Sequence, residues 1–339
     1  MSISKNKSLE EFAIIILNWN GLTLLQKYIP SIVKNSENAK LYLIDNASTD
    51  TSVSWLQMQY PQFTLIQNEQ NYGFASGYNK GLKQIPESFW VLLNSDVEVT
   101  ENWLLPFQYL FDHHPKIAVI QPKILDHQKK NRFEYAGAGG GFMDAFGYPY
   151  CRGRILHKIE EDLGQYNDTR EIHWASGACM VIRKEIFIEQ NGFDDDFFAH
   201  QEEIDLCWRI RNSGNLIFYA GNSTVYHLGG GTLHKNSPQK TYLNFRNNLC
   251  MLVKNLPKSQ LLTVIFIRLI LDGMVGVLFL AQGKISHFFA IMRAHFSFYG
   301  LTANMYKKRN KSTLKKYYLH KSMILQLFLN NGMFFENEN

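Results

Sequence analysis

The sequence predicts an α/β fold, a mostly parallel sheet with helices on both faces, followed by a C-terminal helical appendage. Three observations predict it. Through the first hundred residues, short and almost continuous apolar runs alternate with longer amphipathic segments, the mark of strands buried on both faces within βαβ units. Compact polar residues gather where those runs end. From Tyr242 onward the pattern is mostly helical, and residues 254–339 carry 12 Lys/Arg against three acids, which leaves residues 1–253 net acidic under an overall charge of +5.

Residues 12–17 read as a buried strand and residues 21–34 as a helix; residues 41–44 form the next strand, ending at Asp45. A helix over 51–59, a strand over 63–66 and a helix over 75–84 follow, and a fourth strand over 89–93 ends in Asn94-Ser95-Asp96. After residue 115 the pattern loosens. The Gly/Tyr/Pro-rich stretch over 136–154 is expected to be a flexible loop near the site. Strand character returns over 171–183, then a helix over 202–212 and two strands over 216–219 and 223–227.

At 339 residues, 45% hydrophobic and 19% charged, the chain has the composition of a folded protein with a sizeable core, and long disorder is excluded. Cys151, Cys179, Cys207 and Cys250 lie far apart with no C-x-x-C pair, so reduced thiols in a cytosolic compartment are expected. Residues 1–11 are a polar segment without a secretory-signal pattern. The acidic body and basic tail do not make a nucleic-acid surface; they suggest a working domain with a positive appendage. Residues 261–281 are almost wholly apolar, but Arg268 and Asp272 sit mid-segment, each worth roughly 2.5–3.5 kcal/mol against insertion at a bilayer centre. Four apart, they share a helix face and can pair. A helix packed on the protein or lying at a membrane interface fits better than a span. Arg293, Lys307, Lys308, Arg309, Lys311, Lys315 and Lys316, interleaved with Phe and Tyr, suit either anionic lipid headgroups or a solvated basic face.

In parallel sheets, ligands sit outside the carboxyl ends of the strands. Asn18, Asp45 and Asp96 end the first, second and fourth strands, and Asn71 and Gly73 follow the third after a short loop. Such residues also cap helices and make turns, but all of them converge on one edge. Asp45 can accept hydrogen bonds from a base or ribose. The turn over 71–77 opens a helix and can bring backbone amides near an anion. It is neither G-x-G-x-x-G nor a Walker A loop, which disfavours a dinucleotide oxidoreductase. Asp96 suits a hard divalent cation that also binds phosphates.

Eight motifs occur in order: Ile14-Ile-Ile-Leu-Asn-Trp-Asn-Gly21, Asp45-Asn-Ala-Ser-Thr-Asp50, Asn71-Tyr-Gly-Phe-Ala-Ser-Gly77, Leu92-Leu-Asn-Ser-Asp96, Trp174-Ala-Ser-Gly-Ala178, Gly192-Phe-Asp-Asp-Asp-Phe-Phe198, Glu202-Glu-Ile-Asp-Leu-Cys-Trp-Arg209 and Val225-Tyr-His227. Together they resemble the family 2 inverting glycosyltransferases of the GT-A fold, nearest the rhamnosyltransferase-like branch, over residues 12–250. The resemblance implies a nucleotide-binding half over 12–115 and an acceptor-binding half over 116–250; residues 251–339 lie beyond it, and their basic, aromatic composition suggests a helical, membrane-associating region. It implies transfer of a sugar, rhamnose among the candidates, from a dTDP or UDP sugar to a hydroxyl of a growing, lipid-linked cell-surface glycan at the cytoplasmic face of the membrane.

By the same resemblance, Asp96 and His227 hold Mg²⁺ or Mn²⁺, which neutralises the diphosphate leaving group. Asp45 reads the base, with Asn18, Asn71, Gly73 and Asn94 lining the nucleotide-sugar pocket. Glu203 takes the acceptor proton, with Glu202 as its rival and Asp205 a weaker one; a helix N-terminus also favours such acids through its dipole. Trp174 stacks on the acceptor sugar, or is a core tryptophan, while Ser176 and Gly177 line the bond-forming space. Two departures stand out. Glu203 replaces the usual Asp, and Asn94 replaces the first acid of Asp-x-Asp, so a degenerate nucleotide- or glycan-binding module is the alternative.

Overall fold

The computed structural model describes residues 9–135, 137–155, 158–229, 237–309, 314 and 316–323. Most of the polar N-terminal segment, Ala136, Lys311, Lys315 and residues 324–339 lie outside the described residues.

The first half follows the expected alternation: β1 (Phe12–Asn18), α1 (Leu22–Asn35), β2 (Lys40–Asp45), α2 (Ser52–Gln59), β3 (Thr64–Gln67), α3 (Gly73–Gly81) and β4 (Phe89–Leu93). Then come β5 (Val97–Val99), α4 (Leu105–His113), β6 (Ile117–Asp126), β7 (Gly141–Met143), β8 (Pro149–Cys151), β9 (Arg154–Ile155), β10 (Lys158–Ile159) and β11 (Thr169–Glu171). The chain continues through β12 (Cys179–Arg183), α5 (Lys184–Glu189), α6 (Glu202–Asn212), β13 (Leu216–His227), α7 (Pro238–Asn255), α8 (Lys258–Ala281) and α9 (Ile285–Lys307).

The main sheet runs β11-β13-β6-β12-β4-β1-β2-β3, with β5 on β13. β3, β2, β1, β4, β6 and β13 point one way, while β12, β11 and β5 run against them. Alternation along β1 explains the two layers. Ala13 and Ile15 enter a core shared with α3, α5, α6 and α7, whereas Phe12, Ile14 and Ile16 enter one shared with α1, α2 and α4. Because β1 and β4 are buried along nearly their whole length, their sequence is apolar without alternation.

Three expectations are corrected. The stretch over 136–154 is not a flexible loop: β7 and β8 pair within a second, four-stranded antiparallel sheet, and Phe142, Met143, Tyr150 and Cys151 are buried in the core. The strand expected over 171–183 is interrupted: its ends, β11 and β12, pair in the main sheet, and Trp174 between them bridges instead to Gly141 of β7. The two strands expected over 216–219 and 223–227 are one, β13, with a register shift between Ala220 and Thr224 that re-aims its end. All four cysteines are buried and unbridged, as the spacing predicts.

Candidate active site

The strand order brings the predicted residues to one edge. Asn18 and Asp45 are register partners at the ends of β1 and β2. Cys179 pairs with Leu93 at the end of β4, so the antiparallel β12 starts where β4 stops. His227, the last residue of β13, pairs with Val97 just past Asp96.

Asn18 and Asp45 are buried and bound to each other, Asn18 Nδ2 donating to Asp45 Oδ1 at 2.9 Å. Ser48 completes the cluster: its hydroxyl and its backbone amide donate to the two Asp45 oxygens at 2.6 and 2.9 Å. The β1–α1 and β2–α2 loops are thereby laced together, and Asn20 Oδ1 accepts from the Thr49 amide at 2.7 Å. Sequence reasoning passed over Asn46. It is buried beside Asp45, donates to the Gly73 carbonyl at 2.9 Å and accepts from Asn68 Nδ2 at 2.8 Å, so it ties the end of β2 to the turn opening α3.

That turn is held from across the site. Gly73 has φ +75°, and a Cβ there would come within 2.8 Å of the Phe198 ring, which is a reason for glycine at this position. The amide of Gly73 donates to Asn71 Oδ1 at 2.9 Å and that of Phe74 to the Phe198 carbonyl at 3.1 Å. These amides are therefore engaged inside the protein. The segment supplying Phe198 is itself strained: Phe198, His200 and Gln201 have φ of 64°, 69° and 75°, a conformation that non-glycine residues keep only where surroundings over-determine it. Asn247 of α7 does so, its side-chain amide donating to the carbonyls of Phe197, Ala199 and His200 at 3.0, 2.9 and 2.7 Å. Arg246 adds bonds to the Asp196 and Phe197 carbonyls at 3.1 and 3.0 Å. Nothing local in the sequence around 246–247 announces this role, because the partners lie about fifty residues upstream.

Asp96 and His227 meet directly, Oδ1 to Nε2 at 3.1 Å, and the other ring nitrogen, Nδ1, lies 3.6 Å from Glu134 Oε1. All three side chains are buried. Burial pulls the imidazole pKa down, but the Asp96 carboxylate bound to Nε2 and the Glu134 carboxylate facing Nδ1 outweigh it and hold it up at about 10. Burial raises the Asp96 pKa, and His227 more than offsets that, leaving it below the usual carboxylate value. Glu134, which sequence reading missed, occupies the place of the carboxylate that commonly orients a ligating histidine. No cluster of three or more His, Cys, Asp or Glu side chains shaped to hold a metal occurs among the described residues. Once an ion displaces the proton on Nε2, that nitrogen and the Asp96 oxygen, 3.1 Å apart, are an imidazole and a carboxylate donor of the kinds a divalent ion accepts.

Beside this pair, the 174–178 turn bridges to α6. The Asn94 amide donates to the Ala178 carbonyl at 3.0 Å, and the Ser176 amide to Gln121 Oε1 at 2.8 Å. A Cβ on Gly177 would lie 3.9 Å from the Glu203 carboxyl carbon and 3.4 Å from the Phe74 ring. Trp174 is only 5% exposed. Its indole nitrogen donates to the Phe142 carbonyl at 2.7 Å, and Gly141 lies so close against the ring that a Cβ would stand 2.2 Å from it. The indole thus braces the turn from the core side. Glu202 is buried and Glu203 partly exposed, and each keeps an oxygen with no hydrogen-bond partner. Burial raises both pKa values, and the Glu203 charge raises that of Glu202 further; Glu203 is pushed up to about 7. Asp205 differs: despite burial its pKa is lowered, because Lys254 and Arg209 bind it.

Residues 13–190 match the family model described as glycosyl transferase family 2. The chain belongs to that family. Among curated relatives of this family 2 glycosyltransferase, the low-salt glycan biosynthesis hexosyltransferase Agl10 of Haloferax volcanii is 21% identical over 82% of this chain and 88% of its own length. The N-acetylglucosaminyl-diphospho-decaprenol L-rhamnosyltransferase of Mycobacterium tuberculosis is 23% identical over 60% of this chain and 71% of its own. Rhamnosyltransferase WbbL of Escherichia coli is 23% identical over 61% and 79%. Solved structures with the same fold include GalNAc-T7 with UDP, GalNAc and Mn²⁺ (TM-score 0.53, 16% identity, 71% of this chain and 47% of that one). Another is the mannosyltransferase PcManGT of Pyrobaculum calidifontis with GDP-Man and Mn²⁺ (TM-score 0.52, 12% identity, 86% and 75%). The fold of the family 2 enzyme is therefore GT-A, as expected.

Proposed function

We propose that this glycosyltransferase moves a sugar, rhamnose from dTDP-rhamnose being the leading candidate and a UDP sugar the other, onto a hydroxyl of a lipid-linked cell-surface glycan. The reaction is an inverting single displacement at the cytoplasmic face of the membrane. The observation that carries the reading is the arrangement around one rim: Asp96 against His227 at 3.1 Å, and Glu203 beside Gly177 across the 174–178 turn. The named activities of the rhamnosyltransferase relatives and the Mn²⁺ and nucleotides in structures of the same fold support it.

Asp96 and His227 would hold a divalent cation, Mg²⁺ or Mn²⁺, whose charge neutralises the diphosphate as it leaves. Asn18, Asp45, Asn71, Gly73 and Asn94 shape the nucleotide-sugar side. Of these, Asn18 and Asp45 act chiefly by holding loop geometry, since their polar atoms largely engage each other and Ser48. Glu203 accepts the acceptor proton: it is the reachable member of the acidic pair, while Glu202, more deeply buried, stands as the alternative base. A carboxyl held near neutrality is well placed to take a proton during attack. Ser176 and Gly177 line the acceptor side, with Trp174 fixing that turn.

A thermal-shift screen of nucleotide sugars with and without Mn²⁺ identifies the donor, and transfer assays of Asp96→Ala and Glu203→Gln follow. Both variants are expected to lose transfer; if both retain it, the assignment fails. Asn94 and Glu203, the two departures from the family pattern, favour one second reading, a binding module without turnover. Tight Mn²⁺-dependent nucleotide binding and no transfer to any acceptor would select it.

A further inference from the structure

The helices α8 and α9 carry their polarity inside out. α8 has 24 residues, about 36 Å of helix, and is long and apolar enough by length and composition to cross a membrane. Yet the residues it buries against the protein are Leu261, Val264, Arg268, Asp272 and Gly276. Both charged side chains face inward. Arg268 donates to the Phe146 carbonyl at 2.9 Å and to Asp272 at 3.4 Å, and its guanidinium stacks 3.7 Å over the Tyr148 ring. Asp272 accepts from the Tyr148 hydroxyl at 3.2 Å. The outward side is Leu262, Phe266, Ile270, Met274, Val277 and Leu278, between 51% and 83% exposed. α9 continues the surface with Ile285, Phe289, Met292, Phe296 and Tyr299, spaced as one helical stripe. A water-facing helix carries the opposite arrangement, and contiguous apolar surface on this scale marks an interaction face.

We infer that α8 and α9 form a face that inserts in the plane of a bilayer rich in anionic lipid, without spanning it. Charge complementarity selects lipid over a second copy of the chain. Asp272 is the only acid between Lys254 and Phe335, and it is buried. Lys258, Lys284, Arg293 and Lys307 are exposed on the two helices, so the charge that α8 and α9 themselves expose has one sign; the Asp196 carboxylate that meets the end of α9 is held by Asn304 and Lys308. Two copies meeting through this face would oppose cation to cation, whereas anionic headgroups neutralise that charge while acyl chains cover the stripes. The sequence offers the basic, aromatic tail for lipid attachment and leaves the 261–281 helix either packed or interfacial; the anchoring face is the apolar side of α8 and α9. Lys308 of that tail is already bound to Asp194 and Asp196 at 2.6 and 2.8 Å, and Lys311 and Lys315 lie outside the described residues. The inference deepens the membrane-surface part of the proposed function and rests on that reading for the placement of the acceptor.

The test is sedimentation of the full chain with vesicles of phosphatidylglycerol and phosphatidylcholine, at low salt and at about 1 M NaCl, where surface charges are screened within about 3 Å. The wild type is expected to stay largely bound at high salt. The exposed-site variant Phe266→Asn/Met274→Asn/Phe296→Asn is expected to lose vesicle affinity by roughly a hundredfold from the lost apolar burial, with its nucleotide-sugar thermal shift unchanged. A second variant, Lys284→Ser/Lys258→Ser, is expected to weaken binding at low salt only. Full release of the wild type by salt overturns the proposal, as does equal partitioning of the triple variant. So does a vesicle-indifferent wild-type dimer that the triple variant converts to monomer. Failure of the glycosyltransfer reading shows separately, as absent turnover with vesicle binding intact.

Discussion

Replacing Lys254 by Met removes the cation that joins α7 to the start of α6. Its ammonium lies 2.6 Å from Asp194 Oδ2 and 2.7 Å from Asp205 Oδ2, with all three side chains nearly excluded from solvent. Met keeps most of the volume, so the main loss is electrostatic. Breaking a buried pair from one side typically costs about 3–5 kcal/mol, because a charge is left stranded. Here each carboxylate retains help: Asp205 has Arg209 Nε at 2.8 Å and Asn255 Nδ2 at 2.8 Å, and Asp194 has Lys308 at 2.6 Å. The low end, about 3 kcal/mol, follows. With a urea slope of about 3 kcal/mol per M, the unfolding midpoint falls by about 1 M. Adding Asp194→Asn to the variant removes one stranded charge and is expected to restore part of that loss. Acid gives a second reading. Burial raises the Asp194 pKa, but Lys254 and Lys308 outweigh it and hold it at about 2, below the usual 3.8 of an aspartate. A carboxylate lowered in the folded state contributes its stability fully above the unfolded value and loses it as pH falls through the folded one. The wild type should therefore lose stability between about pH 4 and pH 2, and Lys254→Met should lose less in that window. An indistinguishable midpoint at neutral pH, with unchanged acid sensitivity, would refute the reasoning.

Two further outcomes follow from the site. Because Glu203 is pushed up to about 7 and a base acts ionised, transfer should rise with pH through about 7 and level off. Glu203→Gln should remove that inflection and lower the plateau rate roughly 10²–10⁴-fold; a retained inflection would move the base elsewhere, to Glu202 first. Glu134→Gln should weaken Mn²⁺ affinity about tenfold to a hundredfold by releasing the His227 ring, read by the paramagnetic resonance of free Mn²⁺ in titrations without substrate. Unchanged affinity would show that the ring is oriented by something other than Glu134.

How much of this was legible in the sequence depended on where each residue finds its partners. β1 and β4 were legible because a strand buried on both faces needs no partner information: it must simply be apolar. α6 was legible because its boundaries coincide with its acidic start. β6 was missed although it is buried along nearly its whole length, because it contains Gln121, Pro122 and Lys123. Those polar groups are tolerated through distant contacts: Gln121 bonds the Gly137 carbonyl and the Ser176 amide, and Lys123 pairs with Asp162 at 2.8 Å. A buried polar group costs little once bonded, and no local pattern reveals bonds made 16 to 55 residues away. The same reasoning explains Glu134, Arg246 and Asn247, whose roles exist only once the fold delivers His227 and the 196–200 carbonyls to them.

The α8 segment shows the limit from the opposite side. Its composition is compatible with a core helix, a span or an interfacial helix, and the Arg268–Asp272 spacing argues against a span without choosing between the other two. The choice rests on which face the pair occupies. Had Arg268 and Asp272 faced outward, the apolar positions would have been the packed ones and α8 an ordinary amphipathic helix. With the pair buried on Tyr148 and the Phe146 carbonyl, the hydrophobic side is left facing outward. Helical periodicity reports that two faces differ; it does not report which of them the rest of the protein covers, and in α8 that assignment is what the inference of a lipid-facing helix rests on.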